Sequence, residues 1–199
     1  MGRVATGRPG RPAAAAREAA LALATKRFLK CERVDVQAIS RELGLARATM
    51  HRWFQTREAL LGELLAEMGE QCLLQIRAET PGGGPGALLA TFDRFNRGLA
   101  ALEGMRAFLA QEQERAVRVL TSSGGIVQTR VVGTVQRVIE AEVEAGRYAP
   151  KIDPAVLAYA IVRLGEAFLY NDAMVGIRGD TDRLREIEGA LLGDRKSVV

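Results

Sequence analysis

Apolar residues recur every three or four positions along most of this sequence, which is the spacing of one face of an α-helix. Alternation of apolar and polar residues, the pattern of a half-buried strand, is nearly absent. We therefore predict an all-α protein. The helices expected from the pattern are residues 13–30, a short helix after Asp35, 47–54, 56–78, 87–101, 105–121, 126–145, 154–176 and 181–192.

Polar residues and glycines mark several of the expected helix ends. A side-chain oxygen just before a helix can accept from the free amides of its first turn. The residues placed to do this are Asp35, Thr56, Asp153 and either Asp180 or Thr181. Gly44 follows the second helix and is the residue best able to adopt a positive φ there. The glycine- and proline-rich segment 81–86 ends the fourth helix.

Charge is distributed unevenly along the chain. The formal net charge is only +4, yet residues 1–60 carry 12 Lys/Arg against 5 Asp/Glu, and the remainder carries 16 against 19. A basic segment joined to a mildly acidic one indicates that the N-terminal part meets a polyanion. A solvated basic face explains the charge equally well, so charge alone does not decide for nucleic acid.

Residues 36–54 have the pattern of a helix-turn-helix. Small Ala38 lies where two helices must approach closely, and Gly44 permits the tight turn between them. The apolar contacts of the motif are Ile39, Leu45, Met50 and Phe54, and the residues left outward on its second helix are Arg47, Ala48, Thr49, His51, Arg52 and Trp53. A short cationic helix of this kind fits the DNA major groove and can present arginine to guanine.

Residues 35–61, which end in RWFQTREALL, resemble the DNA-binding signature of the tetracycline-repressor (TetR) family. The resemblance implies an N-terminal three-helix DNA-binding domain over residues 13–57. It also implies a C-terminal helical ligand-binding and dimerisation domain over residues 58–199. Arg57 falls on a basic position of the family, where it and the helix start would clamp a DNA phosphate.

One position of this motif departs from the family pattern, and three leave alternatives open. Ala46 stands where the family has a polar cap, so the recognition helix loses that cap. His51 either donates to a phosphate or is a neutral surface histidine, and Gln37 either reaches a base or phosphate or is simply exposed. Trp53 packs against the sugar-phosphate backbone or covers the junction between the helices.

The first 12 residues contain three Gly and two Pro, and beyond Met1 they have no large apolar side chain except Val4. We expect a basic arm that is disordered when free. Its GRPGRP segment resembles those that lay arginines into a narrow minor groove, which would place Arg8 and Arg11 on DNA. The alternative is a loose electrostatic tether.

The family resemblance implies that the last two long helices, within residues 154–192, form a dimer interface and that the other helices enclose a ligand. Polar residues that interrupt apolar helical faces are candidates for ligand contact, because burying them unpaired costs free energy. They are Glu112, Gln113, Arg130, Thr134, Arg163, Glu166, Tyr170 and Asn171. The expected apolar walls are Phe92, Phe95, Met105, Phe108, Leu109 and Val131. Arg163 and Glu166 are alternatively an internal ion pair or an interface pair.

Residues 163–172, RLGEAFLYND, also resemble the C-terminal domain of the QsdR-type subgroup, whose regulators are associated with lactone degradation. This resemblance implies an effector with an acyl chain and a small polar ring, such as a lactone.

The charge distribution and the helix-turn-helix pattern predict DNA binding. The family resemblance implies the rest: a ligand-responsive repressor that binds a pseudo-palindromic operator as a homodimer and is released by a small molecule. The alternatives are a transcriptional activator and a helical protein-binding adaptor. An enzyme, a metal site and a cofactor are not expected, because the single histidine is His51 and no Cys/His set has metal-ligand spacing. Cys31 and Cys72 are expected to be buried free thiols of a cytoplasmic protein, and we expect no signal peptide and no membrane contact.

Overall fold

The computed structural model describes residues 13–171 and 180–193, apart from the side chain of Asn171. In those residues it contains helices and no strand, so the all-α prediction is confirmed. The predicted DNA contacts Arg8 and Arg11 lie outside the described residues, as does the Asn171 side chain. The helices are α1 (Ala13–Leu29), α2 (Val36–Glu42), α3 (Arg47–Trp53), α4 (Arg57–Glu79), α5 (Gly84–Ala101), α6 (Glu103–Gln111), α7 (Gln113–Thr121), α8 (Ile126–Glu144), α9 (Pro154–Glu166) and α10 (Thr181–Leu192).

The expected helix caps are present. Asp35 accepts from the amide of Ala38 at 2.8 Å, and Thr56 accepts from that of Ala59 at 3.0 Å. Asp153 caps α9 and Asp180 caps α10 in the same way. Ala46 makes no side-chain cap at the start of α3, as its sequence predicts. Gly44 has φ +63°, which lets the chain turn between α2 and α3.

Three predicted helices have different bounds in the structure. The expected helix 105–121 is two helices, α6 and α7, because the backbone breaks at Glu112 (φ −137°, ψ 46°). Helix α5 begins at Gly84, where proline fits the first turn. The expected helix 154–176 ends as an α-helix at Glu166 and continues as a π-helical turn, Ala167–Asn171.

The apolar side chains of the helix-turn-helix meet as expected. Ile39, Met50 and Phe54 are almost completely buried, and Leu45 is partly buried against them. The guanidinium of Arg17 in α1 lies 5.2 Å from the centre of the Phe54 ring. These contacts fix the position of α3 relative to α1.

Helix α4 is the longest element described, at 23 residues, and it contacts both α1 of the helix-turn-helix region and the helices that follow it in the chain. It packs on α1 at one end and on α5, α7 and α8 along its length. Two glycines permit the close approach of α8. A Cβ atom on Gly62 would lie 2.8 Å from the Ile126 side chain, and one on Gly69 would lie 3.6 Å from that of Val131.

A buried carboxylate fastens the end of α4 to α5 and α8. Glu142 is 1% exposed and accepts from Arg77 at 2.5 Å, from Arg147 at 2.8 Å and from the amide of Gly84 at 2.7 Å. These bonds, that from Arg147 above all, lower the pKa of Glu142 to about 2. Because every oxygen is paired, the cluster is a structural anchor.

Both cysteines are free, but both are exposed, so the expectation of buried thiols is wrong. Cys31 lies in the turn after α1 with φ +58°, and Cys72 lies on α4, where it is exposed. Helical periodicity alone does not reveal which side of a helix its neighbours cover. Among the helices described, none combines the length and the apolar character that crossing a membrane would require.

Candidate functional site

The outward residues of α3 form one exposed face with the start of α2. Arg47, Ala48, His51 and Arg52 are exposed, as the helical spacing predicts, and Thr49 is half-buried. Gln37 is exposed on α2. Within the described ranges, Arg47 and Arg52 form no ion pair, so both guanidinium groups are available to an anion.

Trp53 belongs to the junction between the helices. It is half-buried, packs against the apolar core and meets Phe54 edge-to-face, with 6.4 Å between ring centres. The structure thus favours the junction-covering interpretation over direct contact with the DNA backbone.

Arg57 is engaged inside the protein in this structure, and its contact with a DNA phosphate stays a prediction. Its guanidinium donates to the carbonyl of Val34 and to both carboxylate oxygens of Glu112, one at 2.7 Å. Glu112 lies at the break between α6 and α7, which brings this counter-ion to the start of α4. Hydrogen bonding, chiefly from Arg57, lowers the pKa of Glu112 to about 2.

A mainly apolar cavity of about 250 Å³ lies among α4, α5, α8 and α9, with the π-helical turn at its edge and single side chains from α6, α7 and α10 completing its lining. Six of the residues predicted from the sequence line it: Phe92, Phe95, Met105, Val131, Glu166 and Tyr170. Further apolar lining comes from Leu65, Met68, Leu120, Val127, Ile161 and Leu169, and Cys72 also lines the cavity. The π-helical turn supplies Leu169 and Tyr170, an arrangement often found at functional sites.

Two predicted apolar walls and two predicted polar contacts lie elsewhere. Phe108 faces α1, where its ring centre is 6.0 Å from that of Phe28. Leu109 packs partly buried against the same core. Gln113 is exposed, and Glu112 is held by Arg57.

The remaining predicted polar contacts are satisfied inside the protein, outside the cavity lining. Arg130 binds Glu70 across the contact of α8 with α4. Thr134 donates to the carbonyl of Arg130 at 2.8 Å. Arg163 pairs with Glu166 at 2.6 Å, so the internal ion-pair interpretation is confirmed. Polar residues on apolar faces thus also mark bonds within and between helices, which the pattern cannot distinguish from ligand contacts.

Three polar residues that line the cavity were missed. Asn96 donates from Nδ2 to Oε1 of Glu188 at 3.0 Å. Glu188 is 0% exposed and Gln128 is 5% exposed. Oε2 of Glu188 and Nε2 of Gln128 have no hydrogen-bond partner in the described part of the chain. Glu188 could have been found from its position between Leu184 and Leu192 on the buried face of α10.

Burial sets the protonation of the acidic groups at the cavity. It raises the pKa of Glu188 to about 7, although the bond from Asn96 opposes the shift. Burial also raises the pKa of Glu166, against the pull of Arg163, and raises that of the Tyr170 hydroxyl. No group of three or more His, Cys, Asp or Glu side chains within 13–171 and 180–193 is arranged to hold a metal ion.

Residues 83–193, more than half of the chain, match the family described as "Tetracyclin repressor-like, C-terminal domain". The solved structure of the R. erythropolis transcriptional repressor QsdR, from the TetR family, is 26% identical and superimposes with a TM-score of 0.83 over 92% of this chain and 96% of that one.

Two further solved structures share the fold at lower identity. The fatty acid degradation regulator FadR of Bacillus halodurans is 16% identical, with a TM-score of 0.53 over 88% of this chain and 97% of that one. A TetR-family regulator of Mesorhizobium loti is 17% identical, with a TM-score of 0.52 over 93% and 96%. No curated protein sequence matches the chain. On the family match and the shared fold, this chain belongs to the TetR family of DNA-binding transcription regulators.

Proposed function

We propose that this protein is a ligand-responsive transcriptional repressor that binds a pseudo-palindromic operator as a homodimer and is released by a small molecule, for which a lactone is our candidate. The observation that carries the proposal is the course of α4. Three residues separate the end of α3 from the start of this helix, and further along the helix lines the cavity with Leu65 and Met68.

The exposed face of α2 and α3 is the proposed DNA-binding surface. Arg47 and Arg52 suit guanine edges or phosphates, Thr49, His51 and Gln37 add hydrogen-bonding groups, and Ala48 leaves room beside a thymine methyl group. The basic arm with Arg8 and Arg11 would follow the adjacent minor groove.

The proposed dimer interface lies on α9 and α10. Val156 and Tyr159 on α9 are 57% and 49% exposed, and two further large apolar side chains are exposed: Ile152, just before α9, and Ile187 on α10. Large apolar side chains grouped on a surface are typical of association sites. A dimer would supply two recognition helices, which a short helix needs for useful sequence specificity.

Ligand binding would act by a shift between two states of the dimer. A molecule that binds the cavity better in the state with splayed recognition helices lowers operator affinity by the coupling free energy, typically about 1–3 kcal/mol. The lactone assignment is supported by the resemblance of residues 163–172, four of which line the cavity: Gly165, Glu166, Leu169 and Tyr170.

Selection of bound sites from random DNA tests the repressor proposal. We expect a two-fold symmetric site whose half-sites lie one or two helical turns apart. Arg52→Ala should weaken binding to that site by about tenfold and reduce its salt dependence. Arg118→Ala is the matched control, because Arg118 is exposed on α7, away from α3. No enriched site, or equal losses in both variants, would contradict the proposal.

Release is measured on the selected site at fixed salt, with a panel of lactones of increasing acyl length. We expect operator affinity to fall about 5- to 150-fold at saturation, the range of ordinary allosteric coupling. Unchanged affinity across the panel would remove the lactone assignment.

A further inference from the structure

The charged residues that line the cavity are all acidic. Glu166 and Glu188 line it, and the lining includes no Lys, Arg or His among the described residues. Glu166 has its counter-ion in Arg163, which lies outside the lining. Among the described residues, Glu188 accepts from the neutral amide of Asn96 alone. An anionic ligand would therefore bring a further negative charge into an apolar space that offers it no cation.

Two buried polar atoms of residues that line this cavity have no hydrogen-bond partner within the part of the chain that the structure describes. They are Nε2 of Gln128, a donor, and Oε2 of Glu188. The other side of the Gln128 amide is used, since its Oε1 accepts from the backbone amide of Gly124 at 3.3 Å. Leaving a buried polar group unpaired costs free energy, so a ligand that pairs with it binds more tightly.

The two unpartnered atoms together favour a neutral ligand with acceptor oxygens. An alkylammonium ion could pair with ionised Glu188 but carries no acceptor for Gln128. A carboxylate offers acceptors but adds a charge beside two carboxyl groups. Because burial holds the pKa of Glu188 at about 7, a large fraction of this side chain is protonated near neutral pH and can itself donate.

We propose that the cavity selects uncharged, largely apolar molecules with an ester-type carbonyl group, whose oxygens accept hydrogen bonds from Gln128 and Glu188, and that it rejects the corresponding carboxylates. The inference rests on the proposed role of the cavity as the effector site and gives that effector a chemical class. A lactone falls within the accepted class, and its ring-opened hydroxy acid falls within the rejected one.

Three probes with the same apolar chain test the selectivity: methyl octanoate, octanoate and octylamine. Their occupancy of the cavity can be followed in the full-length Cys31→Ser protein by the slowing of Cys72 alkylation, since Cys72 is exposed and lines the cavity. We expect the ester to bind at least about tenfold more tightly than octanoate at pH 7, which corresponds to about 1.4 kcal/mol. Octanoate or octylamine binding as tightly as the ester would overturn the inference, as would the absence of binding by all three.

Variants test the two residues separately. Gln128→Leu should weaken ester binding about fivefold or more, because the donor is lost. Gln136→Leu is the matched control on the same helix, where the amide bonds Glu140 instead. Glu188→Gln keeps a donor and should retain ester binding while losing any affinity for octylamine. Equal ester affinity in the Gln128 and Gln136 variants, or loss of ester binding in a folded Glu188→Gln protein, would contradict the assignment.

Operator release is measured in parallel, so that the two proposals fail separately. Selective ester binding that leaves DNA affinity unchanged would support the inference and contradict the effector role. Release by octanoate in preference to the ester would support the effector role and overturn the inference.

Discussion

Arg57 and Glu112 form a two-pronged ion pair that joins the first residue of α4 to the break between α6 and α7. Their side chains are only 14% and 22% exposed. Arg115 of α7 extends the network to Glu112 and to Glu58. A DNA phosphate that uses Arg57 must therefore displace a carboxylate belonging to the helices beside the cavity.

Replacing Glu112 with Gln should strengthen DNA binding. The change frees the Arg57 guanidinium for a phosphate and removes a negative charge near the DNA-binding face. We expect about three- to tenfold tighter operator binding at low salt and a steeper salt dependence, corresponding to roughly one further phosphate contact. Fluorescence anisotropy at several salt concentrations measures both quantities.

Glu114→Gln is the control for that change, since Glu114 is an exposed residue of α7 that loses the same charge. If both variants bind DNA equally tightly, net charge explains the gain and the ion pair does not restrain Arg57.

Glu188 should make the folded protein less stable as pH rises. Its pKa is 4.5 in a model peptide and about 7 when folded, so between these values the folded state binds more protons than the unfolded state. The free energy of unfolding then falls as pH rises from 5 toward 8. Glu188→Gln removes this titration. Between pH 5 and pH 8 the free energy of unfolding of the variant should therefore rise, relative to that of the parent, by on the order of 3 kcal/mol.

Urea unfolding at pH 5 and pH 8, at one protein concentration, measures the Glu188 effect. The other charges near it, Asp93 on α5 and Glu166 on α9, are unchanged in the variant and cancel in the comparison. Glu186→Gln on the exposed side of α10 should show no such pH-dependent gain. If the parent and the Glu188→Gln variant differ in free energy of unfolding by the same amount at pH 5 and pH 8, Glu188 ionises with an ordinary pKa and the prediction is wrong.

Gly104→Ala should separate α6 from α1. A Cβ atom at Gly104 would lie 2.4 Å from the carbonyl oxygen of Phe28 and 3.2 Å from its ring, so the backbone must shift. Overpacking of this kind costs about 1–3 kcal/mol. Gly133→Ala, where nothing lies within 4 Å of the new atom, should instead stabilise α8 by roughly 0.5–1 kcal/mol. Thermal unfolding of the pair measures the contrast, and two shifts of the same sign would contradict it.

Ala46→Ser should stabilise the recognition helix. Ala46 has the extended backbone of an N-cap (φ −65°, ψ 138°) but supplies no side-chain acceptor. A serine hydroxyl adds one, typically about 1 kcal/mol, which raises Tm by roughly 2–4 °C in a chain of this size. Ala46→Thr should act in the same direction. No gain with either residue would mean that the first amides of α3 are satisfied without a cap.

The local parts of this structure were predictable from the sequence. The turn at Gly44, the cap at Asp35 and the buried Ile39, Met50 and Phe54 depend on residues within about twenty positions of one another, so spacing reports them. The capped starts of α4, α9 and α10 follow for the same reason.

The candidate cavity was predictable only in part, because its lining comes from distant segments. Phe92 was predicted as an apolar wall and Tyr170 as a polar interruption of an apolar face, and both line the cavity. The rule that selected Tyr170 also selected Arg130, whose partner is Glu70 on another helix. Whether a polar side chain meets a ligand or a neighbouring helix depends on tertiary packing. The pairing of Asn96 with Glu188, 92 positions apart, leaves no periodic signal.

The length of α4 determines how far its first residue moves when the helix tilts at the cavity. At 23 residues the helix is about 35 Å long. A tilt of about 5° around its far end would move its first residue by roughly 3 Å, about the rise of one base pair along a DNA strand. A displacement at the cavity that is smaller than one side chain is therefore enough, if α4 moves as a rigid body, to shift a recognition helix away from the base pairs of its half-site.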